Sequence, residues 1–225
     1  MIELRSGVYF KADITKGLPI EDGSIDLVVA DPPFNIKFNG KPGTYNRNKK
    51  NISSYQEYIE GLAEASASEI HRILKPKGSA WIVMGWNNLR VWENAFAEVK
   101  FNQIGHVIWK YQFGVFTRIR PTTSHYHLLV YTKDAKKWTW NKVKWYDEDV
   151  WVIKRPYKFG GFKYANKLPD KLVEDIILRS SNKGDLVFDP FVGSGTTVRV
   201  ANKLERMGIG SDLIDNSKFW DLEKY

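Results

Sequence analysis

Two stretches of this 225-residue chain bring together residue types that can do chemistry. The first is Asp31-Pro32-Pro33-Phe34. It follows the apolar run Ile25 to Ala30, which is bounded by turn residues and reads as a buried strand. An acid, two prolines and an aromatic ring are an unusual way to finish a strand. They mark a candidate site, with a rigid strand-to-loop turn as the alternative that these four residues leave open.

The second stretch is Asp185 to Thr197, Asp-Leu-Val-Phe-Asp-Pro-Phe-Val-Gly-Ser-Gly-Thr-Thr. It reads as a strand, an acid, a Gly-rich turn and the start of a helix, and a further short strand, Gly208 to Asp212, ends in another acid. α/β domains hold adenosine-containing cofactors with this succession, the second acid accepting from ribose hydroxyls. Gly193 and Gly195 are followed neither by the third Gly of a dinucleotide turn nor by the Lys of a triphosphate loop, which disfavours both ligands. A cofactor with a ribose and a zwitterionic amino-acid tail, such as S-adenosylmethionine, suits the turn better. Asp212, 17 residues beyond Gly195, could meet its ribose. A nicotinamide dinucleotide needs an acid at a similar distance, so spacing alone keeps that reading open.

The elements that must position these residues alternate as in a doubly wound sheet. Val8 to Asp13 and Ile25 to Ala30 are strands, and a helix capped by Ser53 or Ser54 runs to a stop at Lys75-Pro76-Lys77-Gly78. Ser79 to Met84 is the next strand, Asn87 to Lys100 holds the crossover helix, and Gln103 to Trp109 and His125 to Tyr131 are two further strands. The alternation Trp138-Thr139-Trp140 suggests a short strand. Leu168-Pro169-Asp170 opens a helix that ends near Gly184, and Thr197 to Glu205 is the last helix. The expected fold is α/β: a doubly wound, mostly parallel Rossmann-like sheet with an antiparallel edge strand, in one domain spanning 1–225.

A net charge of +8 and a pI near 9.4 favour a polyanionic partner, and nine Trp, eleven Tyr and twelve Phe can stack on unpaired bases as well as fill a core. The absence of Cys excludes disulfides, thiolate zinc sites and thiol nucleophiles. The N-terminus has no signal-peptide pattern and no apolar run approaches the roughly 20 residues needed to span a bilayer, so a cytoplasmic protein is expected.

Basic charge gathers in three places. Asn35 to Asn51 carries Lys37, Arg47, Lys49 and Lys50 without an acid and reads as a loop, either solvated or touching phosphate. Lys110 to Pro121 sets Arg118 and Arg120 among Tyr111, Phe113 and Phe116, a mixture of charge and stacking surface. Lys133 to Lys163 holds nine Lys/Arg, Lys142 and Lys144 among them, with four acids and eight rings. Substrate selection is expected there, a packing patch being the alternative. His125 and His127 share a strand face without an acid or Cys at ligand spacing, so hydrogen-bonded histidines are expected rather than a metal site.

The two opening stretches, in this order, resemble the amino-group DNA methyltransferases of the permuted, beta-class arrangement. In that family a D-P-P-F/Y/W motif precedes a D-P-F-x-G-S/T-G-T-T motif. Asp31 to Phe34 matches the first and Asp189 to Thr197 the second, and the similarity extends from about Val8 to Asp212. The resemblance implies a methyltransferase sheet with a small target-recognition region inserted at 133–163. It implies that Asp31, Pro32, Pro33 and Phe34 are catalytic and that S-adenosylmethionine is the cofactor. Asp13 and Ile14 would line its adenine, Asp31, Asp189, Phe191, Gly193, Gly195, Thr196 and Thr197 would surround the remainder, and Asp212 would hold the ribose. Double-stranded DNA would be the partner, met by Lys37, Arg47, Lys49, Lys50, Arg118, Arg120, Lys142 and Lys144, with no metal. Relatives often carry H-P-T-Q-K-P before the cofactor strand, whereas Tyr164-Ala165-Asn166-Lys167-Leu168-Pro169 keeps only the final Pro.

The motif suits the chemistry. An exocyclic amine of adenine or cytosine is a poor nucleophile because its lone pair is delocalised into the ring. The Asp31 carboxylate and the Pro32 carbonyl could each accept one N–H, favouring a pyramidal nitrogen and meeting its developing positive charge. Pro33 would hold Pro32 extended, so that the carbonyl points forward. Phe34 would stack on a flipped-out base, a contact worth about 1–3 kcal/mol. Methylation at cytosine C5, which needs a thiolate, is excluded. Asp at the first position favours adenine N6 over cytosine N4, in a sequence-specific enzyme of restriction-modification or a related system. RNA, a protein glutamine amide and a non-catalytic DNA-binding module are the further alternatives. A dimer or a short target site is compatible with the small recognition region.

Overall fold

The computed structural model describes residues 8–33, 60–114, 118–155 and 167–213, and the backbone of 37–39 and 54–56. The strands and helices in chain order are β1 (Val8–Lys11), β2 (Ile25–Ala30), β3 (Lys37–Asn39), β4 (Ser54–Gln56), α1 (Leu62–Ile73), β5 (Leu74–Met84) and α2 (Leu89–Glu98). They continue with β6 (Asn102–Lys110), β7 (His125–Thr132), β8 (Val150–Val152), α3 (Asp170–Ser180), β9 (Leu186–Asp189), α4 (Thr196–Lys203) and β10 (Met207–Asp212).

Eight strands form one sheet in the order β1-β10-β9-β2-β5-β7-β6-β8, and β3 pairs with β4 apart from it. The five from β1 to β5 are parallel, β7 runs against both β5 and β6, and β8 is parallel to β6. The antiparallel strand is therefore enclosed: β6 and β8 add outside it and shield its ladder.

Helices cover both faces, which is why residues 27–30 of β2 and 80–84 of β5 read as unbroken apolar runs rather than alternating ones. On one face Val28, Ala30, Ile82 and Phe188 pack with Ile70 and Ile73 of α1 and Phe96 of α2. On the other Leu27, Val29, Trp81 and Val187 pack with Leu172, Val173, Ile176 and Ile177 of α3 and Ala201 of α4.

Three local expectations change. Helix α1 begins at Leu62 behind Gly61, whose φ of 69° ends the preceding turn, not at Ser53 or Ser54; Ser54–Gln56 instead pairs with Lys37–Asn39 inside the segment expected to be a loop. Strand β5 starts directly at Leu74 and passes through Lys75-Pro76-Lys77-Gly78 with a register shift against β2. Gly78 is needed there, because a Cβ would stand 2.8 Å from the Asp26 carbonyl oxygen. Trp138-Thr139-Trp140 is not a strand. The Thr139 N–H donates to the Lys77 carbonyl (3.1 Å) and Trp140 stacks on buried Trp81 (6.4 Å, 8°), so the short strand is Val150–Val152 instead.

The segment between β7 and β8 crosses the sheet at the amino ends of the parallel strands. Lys133 Nζ donates to the Leu74 carbonyl (2.6 Å), and the Asn141 side chain donates to the carbonyls of Leu178 (3.1 Å) and Ser181 (2.9 Å) at the end of α3. Arg179, 1% exposed, pairs with Asp175 (3.0 Å) and Asp147 (2.6 Å) beneath the Trp151 ring. Lys142 and Lys144 lie between these anchors.

Candidate functional site

Strands β5, β2, β9, β10 and β1 deliver their carboxyl ends to one rim. After β2 the chain moves to β5 on one side, and after β9 to β10 on the other, so the strand order reverses between β2 and β9. Such a switch point opens a crevice at the carboxyl ends of the strands. Both chemistry-bearing stretches border it.

On the β9 side, Asp189 is buried and ties the turn together. Its Oδ1 accepts from the Phe191 N–H (3.0 Å) and its Oδ2 from the Thr197 hydroxyl (2.6 Å) in the first turn of α4. Gly193 (φ 47°) and Gly195 (φ 77°) take left-handed conformations, and Gly195 caps α4 with no side chain over its first N–H groups, Thr196 following it directly. Asp212 Oδ2 accepts from the Gly193 N–H (3.0 Å), and the Asp212 carbonyl accepts from Ala12 (3.0 Å), joining β10 to the end of β1. There Asp13 accepts from the Thr15 hydroxyl (2.7 Å) and N–H (3.0 Å), and these bonds hold its carboxyl below the usual range. Ile14 is buried in the core beneath this turn.

Burial raises the Asp189 carboxyl to about 7, and the Asp212 charge adds to this, against the pull of the Thr197 and Phe191 bonds. Between pH 4 and 7 the unfolded chain releases this proton while the folded chain keeps it, so this group's contribution to stability falls as pH rises through that window. His127 has the opposite sign, its pKa pushed down to about 4 by burial and by His106 and His125, so it costs stability as the pH falls below its unfolded value. Urea unfolding of wild type and Asp189→Asn isolates the aspartate. The wild type should lose on the order of a few kcal/mol relative to the variant between pH 5 and 7.5.

On the β2 side, Asp31 is partly exposed with Oδ1 buried, Pro32 is buried and Pro33 partly so; Phe34 lies outside the described residues. Beyond β5 comes Trp86, 56% exposed, with the Arg120 guanidinium 6.0 Å from its ring centroid. Arg118 is exposed in the same connection between β6 and β7. Arg155, just past β8, spreads over Tyr111 (5.1 Å) and Tyr126 (5.4 Å), while the Gln112 side chain accepts from its N–H (2.9 Å) and donates to its carbonyl (3.0 Å).

Of the expected DNA contacts, Arg118 and Arg120 thus stand on the rim with Asp31. Lys142 and Lys144 stand at the far end of the sheet. Only the backbone of Lys37 is described, and Arg47, Lys49 and Lys50 are outside the described residues. Trp86 and Arg155 were not expected on the rim. Trp86 had a signal, since it follows the strand that neighbours the Asp31 strand; Arg155 had none, because its place depends on the pairing of β8.

Of the two expected hydrogen-bonded histidines, His127 Nδ1 bonds His106 Nε2 (2.8 Å) and the His125 ring lies edge-on to that of His127 (5.0 Å), and among the described residues no three His, Cys, Asp or Glu gather as a metal site. No helix among the described residues is long and apolar enough to cross a membrane. The rim carries Asp13, Asp31, Asp189 and Asp212 at the ends of four adjacent strands in a chain of net charge +8. That concentration of carboxylates beside a glycine cradle fits a ligand with a cationic centre and hydroxyl donors.

The sequence profile of the N6/N4 DNA methylase family matches residues 25–218. The chain belongs to this family. Relatives include the Type II methyltransferase M.HpaI of Haemophilus parainfluenzae, 31% identical over 91% of this chain and 68% of the relative. The DNA adenine methyltransferase YhdJ of Escherichia coli (strain K12) is 30% identical over 91% of this chain and 76% of its own length. The crystal structure of the M1.HpyAVI–SAM complex has the same fold, with a TM-score of 0.70, 22% identity and coverage of 93% of this chain and 94% of that one. As a member of this family the chain is an S-adenosylmethionine-dependent DNA methyltransferase acting on an exocyclic amino group. The cradle and its carboxylates suit this methyl donor.

Proposed function

We propose that the chain methylates adenine N6 within a short duplex sequence, taking the flipped base to Asp31 at the carboxyl-end rim, on the side where Trp86 follows β5. The observation that carries this reading is the seat of Asp31-Pro32-Pro33 on β2 at the reversal of strand order, beside the Asp189–Thr197 turn. The cofactor, when bound, supplies a methyl group made electrophilic by its sulfonium. Gly193 and Gly195 bring backbone close to its amino-acid part, Asp212 accepts from its ribose, and Asp13 and Ile14 border its adenine. Asp31 and the Pro32 carbonyl accept the two amine N–H groups, aim the nitrogen lone pair and stabilise the charge that develops there. Phe34 stacks on the base.

The adenine preference is supported by Asp at the first motif position and by YhdJ, which is named a DNA adenine methyltransferase. M.HpaI is named a Type II methyltransferase, which supports a restriction-modification role. Digestion of methylated plasmid DNA to nucleosides should yield N6-methyladenine, and N4-methylcytosine alone would overturn the assignment.

Arg118, Arg120 and Arg155 form the duplex face on this reading, and only the distal end of the 133–163 insertion belongs to it. Arg118→Ala with Arg120→Ala should weaken duplex binding and lower the salt slope by about 0.9 for each phosphate that is no longer neutralised. An unchanged slope in a fluorescence titration would remove these residues from the DNA face.

A further inference from the structure

A second basic and aromatic surface lies at the other end of the sheet. Lys77, Lys136, Lys137, Trp138 and Trp140 line a cleft of about 430 Å³. It is remote from the methyl-transfer rim: Lys77 sits near the start of β5, and the five residues from Leu27 to Asp31 alone span about 13 Å along the neighbouring strand.

The cleft is built rather than incidental. Asp134 Oδ1 accepts from the Lys136 N–H (2.8 Å) and fixes the turn that presents both lysines. The Thr139–Lys77 bond and the stacking of Trp140 on Trp81 hold the wall. Among the described residues no carboxylate pairs with Lys77, Lys136 or Lys137. The stack on Trp81 accounts for Trp140 in part, but not for the next rings along the chain. Trp145 is 91% exposed with Lys142 Nζ 4.4 Å from its ring centroid, and Tyr146 is 77% exposed. Water-exposed rings held beside unpaired ammoniums are what stack on unpaired bases while the cations follow the phosphates. A duplex hides its base faces, so the arrangement selects single strands.

We propose that this cleft and the adjoining Lys142–Tyr146 run bind single-stranded nucleic acid, separately from the duplex that is methylated. The site gives the enzyme a second hold on a nucleic-acid strand while the opposite rim does chemistry.

Labelled oligothymidylate tests this, because thymine has no exocyclic amine and cannot be a methyl acceptor; failure here leaves the adenine reading untouched. Fluorescence anisotropy at low salt should show binding to the wild type. Lys136→Glu with Lys137→Glu should weaken it at least about tenfold, and Trp145→Ala about fivefold or more, with duplex methylation keeping wild-type kcat. All three positions are exposed, so folding is spared. Oligouridylate run in parallel separates RNA from DNA as the natural strand, and weaker binding of either by the variants supports the site. Affinity unchanged in both variants overturns it, as does weakening confined to Arg118→Ala with Arg120→Ala, which would put the strand on the rim. Self-association abolished by the lysine variants, with oligonucleotide affinity unaltered, overturns it in favour of a second copy of this chain.

Discussion

Asp31→Ala should lower the rate of methyl transfer by about 10²- to 10³-fold or more while S-adenosylmethionine affinity stays within about threefold of wild type. The separation follows from what the side chain does. On the proposed mechanism it accepts from an amine whose positive charge exists only as the new bond forms, so its removal would be felt in the transition state and little in cofactor binding. Asp31→Asn should fall between the two proteins, since its carbonyl oxygen still accepts one N–H but without the charge. Single-turnover transfer of a labelled methyl group, with calorimetry of the cofactor, checks both halves. An Asp31→Ala enzyme that keeps a tenth of its rate would move catalysis elsewhere.

Gly193→Val should show the reverse pattern, with cofactor affinity at least about 100-fold weaker. At φ 47° a β-branched residue is strained by about 1–3 kcal/mol, and its N–H would have to keep the bond to Asp212 while two methyl groups enter the cradle. Gly193→Ala should lose less, because it adds a single carbon and a Cβ there meets nothing nearer than 3.7 Å. Equal cofactor affinity in wild type and Gly193→Val, measured by calorimetry, would mean that the tail of the cofactor lies elsewhere. Together the two substitutions dissect the rim into a part that binds and a part that transfers.

The central strands and their terminal acids were legible in the sequence for a physical reason. A parallel strand covered on both faces must be apolar along its buried length, so residues 27–30 and 186–188 appear as uninterrupted runs, and the Asp that follows each one announces the rim. The glycine turn was legible because few residues tolerate its conformations. What was not legible depends on partners distant in sequence. Val150–Val152 is too short to announce itself as β8, and its pairing with β6 is what carries Arg155 to the rim. Trp138-Thr139-Trp140 has the alternation of a strand, but its backbone hydrogen bond goes to Lys77 and its outer ring lies on Trp81. Lys142 and Lys144, expected to meet DNA, are placed at the far end by Asn141 and the Arg179–Asp147 pair, contacts that span the chain.

The reciprocal hydrogen bonds between Gln112 and Arg155 bear on how target preference can change over time. They tie the connection after β6 to the tail of β8, although 43 positions separate the two residues in sequence. Loss of Gln112 would leave the Arg155 N–H and carbonyl without these partners, whereas any residue other than Pro at position 155 would still offer both backbone groups. On the proposed reading of the duplex face, the clip is therefore kept by any exchange that retains Gln112, and substitutions at Arg118 and Arg120 leave it intact.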